Sequence, residues 1–134
     1  LEVSTRVEVL KPFIAELQDA GIPVSLFIDS EDPQVSAARK TGAAWVELHT
    51  GTYANAAKER ERENEFGKII EAAKLASSLG LRVGAGHGLN YVNVQWIARV
   101  EEIEELNIGH SIISRASLTG IDAAVRDMIA LVAD

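Results

Sequence analysis

The chain contains three histidines, each in or just after an apolar run that ends in small or polar residues. His49 lies in Val46-Glu47-Leu48-His49-Thr50-Gly51, His87 in Gly84-Ala85-Gly86-His87-Gly88-Leu89-Asn90, and His110 in Asn107-Ile108-Gly109-His110-Ser111-Ile112-Ile113. An imidazole titrates near neutrality, so each is a candidate proton donor or acceptor. The segment around His87 is the most informative. Its three glycines expose backbone and let a ligand approach closely, and His87 is the one titratable side chain among them. Two familiar phosphate loops are excluded. No Gly-Lys-Ser/Thr follows, and Gly84-x-Gly86-x-Gly88 lacks the third glycine at the offset of a dinucleotide fingerprint. After Gly109-His110, a short apolar turn over 111–116 has N-terminal amides suited to an anion. The plainer alternative there is a glycine-bounded loop with Ser111 as helix cap.

Glu47 sits inside an apolar strand pattern, where a carboxylate is expensive unless it is paired or directed at a ligand; both readings stay open. Alternation places His49 on the same face, where the simpler reading is a satisfied core histidine. Asp29, ending Phe27-Ile28-Asp29, reads as a turn or capping residue. The acidic run over 101–105 reads as a solvated loop. His49, His87 and His110 come from separate segments, and their spacing specifies no zinc site, so no metal is expected.

These residues require strand ends to position them. Short β-branched runs over 24–28, 44–49, 81–86 and 105–109 alternate with segments of helical period, the pattern of a parallel α/β fold. The first helix is expected near Lys11, with Pro12 at its first position and an apolar stripe through Val9, Leu10, Phe13, Ile14 and Leu17. A second has Asp32 as cap and Pro33 at the first position, ending at Gly42. A third spans 54–79, its charged first half solvated and its second half packed. Shorter helices are expected over 92–98 and 121–132. Helix, glycine, strand, polar loop recurs along the chain with no linker, so residues 1–134 read as one domain.

The chain has 134 residues, of which 47% are apolar, enough to bury a core. With no cysteine, it has no thiolate ligand, cysteine nucleophile or disulfide, and the cytosol is the default expectation. A net charge of −7 offers no broad footprint for nucleic acid or an anionic membrane, so any phosphate site must be local. A complete eightfold βα barrel takes roughly 250 residues. Four strands, preceded by a helix that lacks its own strand, make either a small open sheet or half a barrel, and the second is the more natural. The first residue is Leu and not Met, so the start is expected to be processed, trimmed or lost.

Four motifs in order carry a resemblance over nearly the whole chain. Val24-Ser25-Leu26-Phe27-Ile28-Asp29, Val46-Glu47-Leu48-His49-Thr50-Gly51 with Tyr53-Ala54, Ala85-Gly86-His87-Gly88-Leu89-Asn90-Tyr91, and the segment from Glu105 to Ile113 with its Asn-Ile-Gly-His core resemble the pyridoxine 5′-phosphate synthase family. The resemblance implies an eight-stranded βα barrel, of which this chain matches the C-terminal half. It implies condensation of 1-deoxy-D-xylulose 5-phosphate with 3-amino-2-oxopropyl phosphate to pyridoxine 5′-phosphate, phosphate and water, with no metal or organic cofactor. His87 then corresponds to the general acid and Glu47 to the carboxylate that stabilises the transition state. Gly88, Gly109 and His110 correspond to phosphate contacts. The charged excursion after Tyr53 matches an extra helical segment expected in oligomer contacts. The family's histidine and glutamate bases would precede Leu1, so the chain alone is expected to be inactive. With two open edges, it is expected to associate with itself or a complementary half. A stand-alone half-barrel serving as a phosphate-binding or assembly module is the alternative, and another phosphosugar-handling barrel enzyme a third reading.

Overall fold

The computed structural model describes residues 2–133. Four strands, β1 (Ser25–Ile28), β2 (Trp45–His49), β3 (Arg82–Gly86) and β4 (Ile103–Asn107), form one sheet in the order β1-β2-β3-β4. Every neighbouring pair is parallel. Between and after them run α1 (Val7–Asp19), α2 (Asp32–Thr41), α3 (Gly51–Asn55), α4 (Glu59–Ser78), α5 (Val94–Ala98), α6 (His110–Thr119) and α7 (Ile121–Val132). Strand alternation divides the residues between two faces. Leu26, Ile28, Val46, Leu48, Val83 and Ala85 are buried, in one core cluster with Val35 and Ala38 of α2 and Ile69, Ala72, Ala73 and Ala76 of α4. The alanines of α2 and α4 let helix backbone approach the sheet. Full burial of each branched side chain contributes about 1.5–3 kcal/mol. On the other face, register aligns Phe27, Glu47, Gly84 and Glu105 in one row, and His49, Gly86 and Asn107 in the next, nearer the strand ends.

Several boundaries differ from the sequence expectations. α1 starts at Val7, so Pro12 lies inside it rather than at its first position. The Arg6 carbonyl accepts from the N–H groups of both Val9 and Leu10, which starts the helix early. Pro12 is exposed, so the donor it lacks is missing on the solvent side of the helix. Of the named stripe only Ile14 is buried; Val9, Phe13 and Leu17 are exposed. The N-cap position of α2 is Glu31, one residue before the expected Asp32 and with no side-chain cap bond, and the helix ends as expected at left-handed Gly42. The long third helix is two helices, because Ala56 and Lys58 take extended backbone. Its charged turns are solvated and its second half packed, as the pattern indicated. The acidic run over 101–105 begins in a turn at 101–102, as expected, but enters β4 at Ile103. A register shift beside Val83 and Gly84 accommodates the extra residue, and Arg82 pairs with Glu104 at 2.6 Å. An edge strand tolerates these carboxylates because water reaches them. The expected turn over 111–116 lies within the ten-residue α6.

β1 and β4 each have one sheet neighbour among the described residues. Apolar side chains stay exposed on both flanks, Phe13 and Leu17 of α1 on one and Ile121 and Ile129 of α7 on the other. The architecture is α/β, a four-stranded parallel sheet alternating with helices, consistent with half of an eight-stranded barrel.

Candidate active site

Ligands of parallel α/β folds bind beyond the carboxyl ends of the strands, and there the three histidine segments meet. His87 directly follows β3 with φ 79, the one non-glycine residue with positive φ among those described. That conformation costs a side-chain-bearing residue about 1–2 kcal/mol, so the surroundings must hold it. Thr50, fully buried after β2, supplies the hold. Its N–H donates to the Gly86 carbonyl at 2.8 Å, and its hydroxyl lies 2.7 Å from that oxygen and 2.6 Å from the His87 carbonyl. Gly88 follows with φ 78, and its carbonyl accepts from the Asn93 side chain at 3.2 Å.

The His87 ring lies 5.1 Å from the His49 ring, centre to centre, with Phe27 set edge-on to His49 at 5.2 Å. Asp29 contacts His49 Nδ1 at 3.0 Å. Asp29 is thus a histidine partner and not the expected side-chain cap, and His49 is a half-buried histidine at the site's edge rather than a core one. Gly51 makes room for this ring, since a Cβ there would run into His49 Nε2.

Glu47 enters none of the ion pairs among the described residues, so the salt-bridge alternative is not realised. Its carboxyl titrates above the ordinary range, first because burial disfavours the charge and second because Glu105 is nearby; a hydrogen bond with Asn107 opposes both. Gly86 makes this position possible, because a Cβ there would collide with Glu47 Oε1.

The N-terminus of α6 completes the cluster. Gly109 is its N-cap residue, and no side chain caps it. Ser111, expected as a possible cap, donates to the Leu89 carbonyl at 2.9 Å instead. The uncapped first-turn amides, reinforced by the helix dipole, form an anion-binding end. One pocket of about 910 Å³ is lined by all five residues singled out from the sequence: Glu47, His87, Gly88, Gly109 and His110. Asn107 and Arg115 line it too, the guanidinium lying 4.4 Å over the Tyr91 ring and 2.6 Å from Asp127. Sequence reasoning missed Thr50, Asn107, Arg115 and the Asp29–His49 pairing. Thr50, Asn107 and Asp29 had a signal, since each lies in one of the four motifs, whereas Arg115 had none.

Among the described residues, no group of three or more His, Cys, Asp or Glu side chains is arranged to hold a metal. Among them, too, no helix is long and apolar enough to cross a membrane. The pocket combines an imidazole for proton transfer, a carboxylate whose charged form is disfavoured, and an anion-binding helix end. That set suits proton transfer on a phosphorylated small molecule.

The chain is similar over nearly its whole length to proteins of one family. The family model described as "Pyridoxal phosphate biosynthesis protein PdxJ" matches residues 1–134. A protein of Synechococcus sp. (strain JA-2-3B'a(2-13)) named pyridoxine 5′-phosphate synthase is 54% identical over 128 residues, covering 96% of this chain and 54% of the relative. One of the same name from Geobacter sulfurreducens is 52% identical over 132 residues, covering 98% and 55%. Another, from Idiomarina loihiensis, is 51% identical over 128 residues, covering 96% and 53%. The chain spans about half the length of the curated relatives it matches. Matched over all 134 of its residues, it belongs to the PdxJ family of pyridoxal phosphate biosynthesis proteins.

Proposed function

We propose that this chain is the acid-bearing, phosphate-binding half of a pyridoxine 5′-phosphate synthase. The observation that carries the reading is the shared pocket, in which His87, held left-handed at the end of β3, lies with Glu47 and the uncapped end of α6. His87 donates the proton to a departing oxygen during ring closure. Glu47 stabilises the charge that develops there, and the backbone at Gly88, with Gly109 and His110, holds the phosphate of 3-amino-2-oxopropyl phosphate. The other substrate, 1-deoxy-D-xylulose 5-phosphate, is held mainly by the complementary half, which also supplies the bases. The chemistry assigned to these residues needs no metal or organic cofactor. Residues 1–134 act as one partial barrel domain in a cytoplasmic homo-oligomer, and the exposed apolar flanks of α1 and α7 support association. Neither nucleic acid nor membrane is a partner, in keeping with the net charge of −7.

The test is product formation from both substrates. The chain alone is expected to be inactive. Co-expressed with the N-terminal half of a relative, it is expected to form pyridoxine 5′-phosphate, and His87→Ala to lower that rate by about 10²–10⁴. A complemented His87→Ala protein working at the unmodified rate would overturn the reading. A second reading is a half-barrel assembly module, for which the exposed Phe13 and Leu17 of α1 and Ile121 and Ile129 of α7 would serve self-association. A discrete homodimer by native mass, with phosphate binding but no complementation, would support it.

A further inference from the structure

We infer that Thr50 is a positioning residue that locks the His87–Gly88 peptide in one orientation and thereby aims the Gly88 N–H for anion binding; the last clause rests on the phosphate reading above. The hydrogen-bond inventory assigns the roles. A hydroxyl has one proton to donate, yet Thr50 Oγ1 is within reach of two carbonyls, at 2.7 Å from Gly86 and 2.6 Å from His87. The Gly86 carbonyl already accepts the Thr50 N–H at 2.8 Å, whereas among the described residues the His87 carbonyl has no donor but this hydroxyl, so the proton is assigned to His87. Thr50 is fully buried, which fixes its hydroxyl in place beside the partly buried His87 carbonyl.

The consequence follows from planarity. In a trans peptide the N–H points opposite the carbonyl, and the described residues contain no cis bond. With the His87 carbonyl turned to Thr50, the Gly88 N–H points away from it, and the Gly88 N–H is spent on no backbone acceptor among the described residues. Gly88 lines the pocket that also holds the uncapped end of α6. The alternative peptide orientation would present a carbonyl oxygen where this amide now points, and a carbonyl repels an anion. The same bond offsets the cost of the left-handed His87, whose side chain leaves the backbone in a direction set by that φ.

Thr50→Val keeps shape and removes the hydroxyl, whereas Thr50→Ser keeps the hydroxyl. The first readout uses no ligand: the short intraresidue Hα–HN contact that positive φ produces at His87, seen by NMR. The second is titration with inorganic phosphate, followed at the Gly88 amide. Thr50→Ser is expected to match the unmodified protein in both. Thr50→Val is expected to weaken or lose the His87 signature and to weaken phosphate binding about fivefold, the scale of one lost hydrogen bond. Thr50→Ala, read against the same serine control, replaces the valine variant if that does not fold. The lock is overturned if the valine variant keeps the His87 signature, or if serine fails as valine does, which would make the role one of packing. If the unmodified protein binds no phosphate at Gly88 while the valine variant still loses the His87 signature, the lock stands and the phosphate reading falls.

Discussion

Replacing Gly86 by alanine tests whether Glu47 owes its position to the missing side chain beside it. A Cβ at residue 86 would collide with Glu47 Oε1 and sit 3.0 Å from both Cβ and the carbonyl oxygen of Asn107. The Glu47 carboxylate is the free end of a flexible side chain and moves, while Asn107 belongs to β4, an edge strand that yields by a few tenths of an ångström. Overpacking of this kind costs about 1–3 kcal/mol, and alanine in place of glycine returns about 0.5–1 kcal/mol of backbone entropy. The net expectation is a loss of about 1 kcal/mol, or roughly 3–5 °C in Tm for a chain of this length. In a Glu47→Ala background the larger collision is gone, and Gly86→Ala is expected to be nearly neutral. Thermal denaturation of the four proteins, followed by circular dichroism, gives the coupling, expected at about 1 kcal/mol and above the usual additivity error of about 0.3–0.5 kcal/mol. An equal cost in both backgrounds would refute the reasoning, because Gly86 would then not make room for the carboxylate.

Other expectations follow from the same geometry. Gly88→Ala, with φ 78 and a Cβ only 2.7 Å from the Ala54 Cβ, is expected to cost about 1–3 kcal/mol, whereas Gly109→Ala meets nothing within 4 Å and should stay within about 0.5 kcal/mol of the unmodified chain. Denaturant titration of both separates the two glycines. The Glu47 carboxyl is raised from its ordinary value of 4.5, so above that value the folded state binds more protons than the unfolded one, and stability from this group falls as pH rises toward neutrality. Glu47→Gln is therefore expected to gain in Tm relative to the unmodified chain between acid and neutral pH; a constant difference across that range would contradict it. Tyr53→Phe removes a buried hydroxyl that donates to the Asn93 carbonyl at 2.7 Å and should cost about 1–2 kcal/mol, measured by urea denaturation.

The parallel sheet and the five pocket residues were legible because their signals are local. Alternation marks Glu47 as facing away from Val46 and Leu48, and a histidine between glycines marks a strand end. Helix boundaries were less legible where backbone hydrogen bonds outside the pattern decide them, as Arg6 does in starting α1 ahead of Pro12. The acidic run hid a strand because its charges are satisfied by an edge position and by Arg82, which lies 22 residues away. Thr50 was the costliest omission. Its function lies in two carbonyls 36 and 37 residues further on, and no spacing rule encodes a contact that only the sheet brings about. Asp29 was misread for the same reason, since its partner His49 is one strand over.

The loop after β3 is fastened near both ends to the neighbouring βα connection, by Thr50 at residues 86 and 87 and by the Tyr53 hydroxyl at Asn93. A segment pinned twice to a buried neighbour has little conformational entropy left to lose on binding, so it meets its ligand already ordered. It is also a poor lid, since opening would break both clamps at once. A lid over this pocket would have to come from its other walls, and His87 would keep its place beneath it.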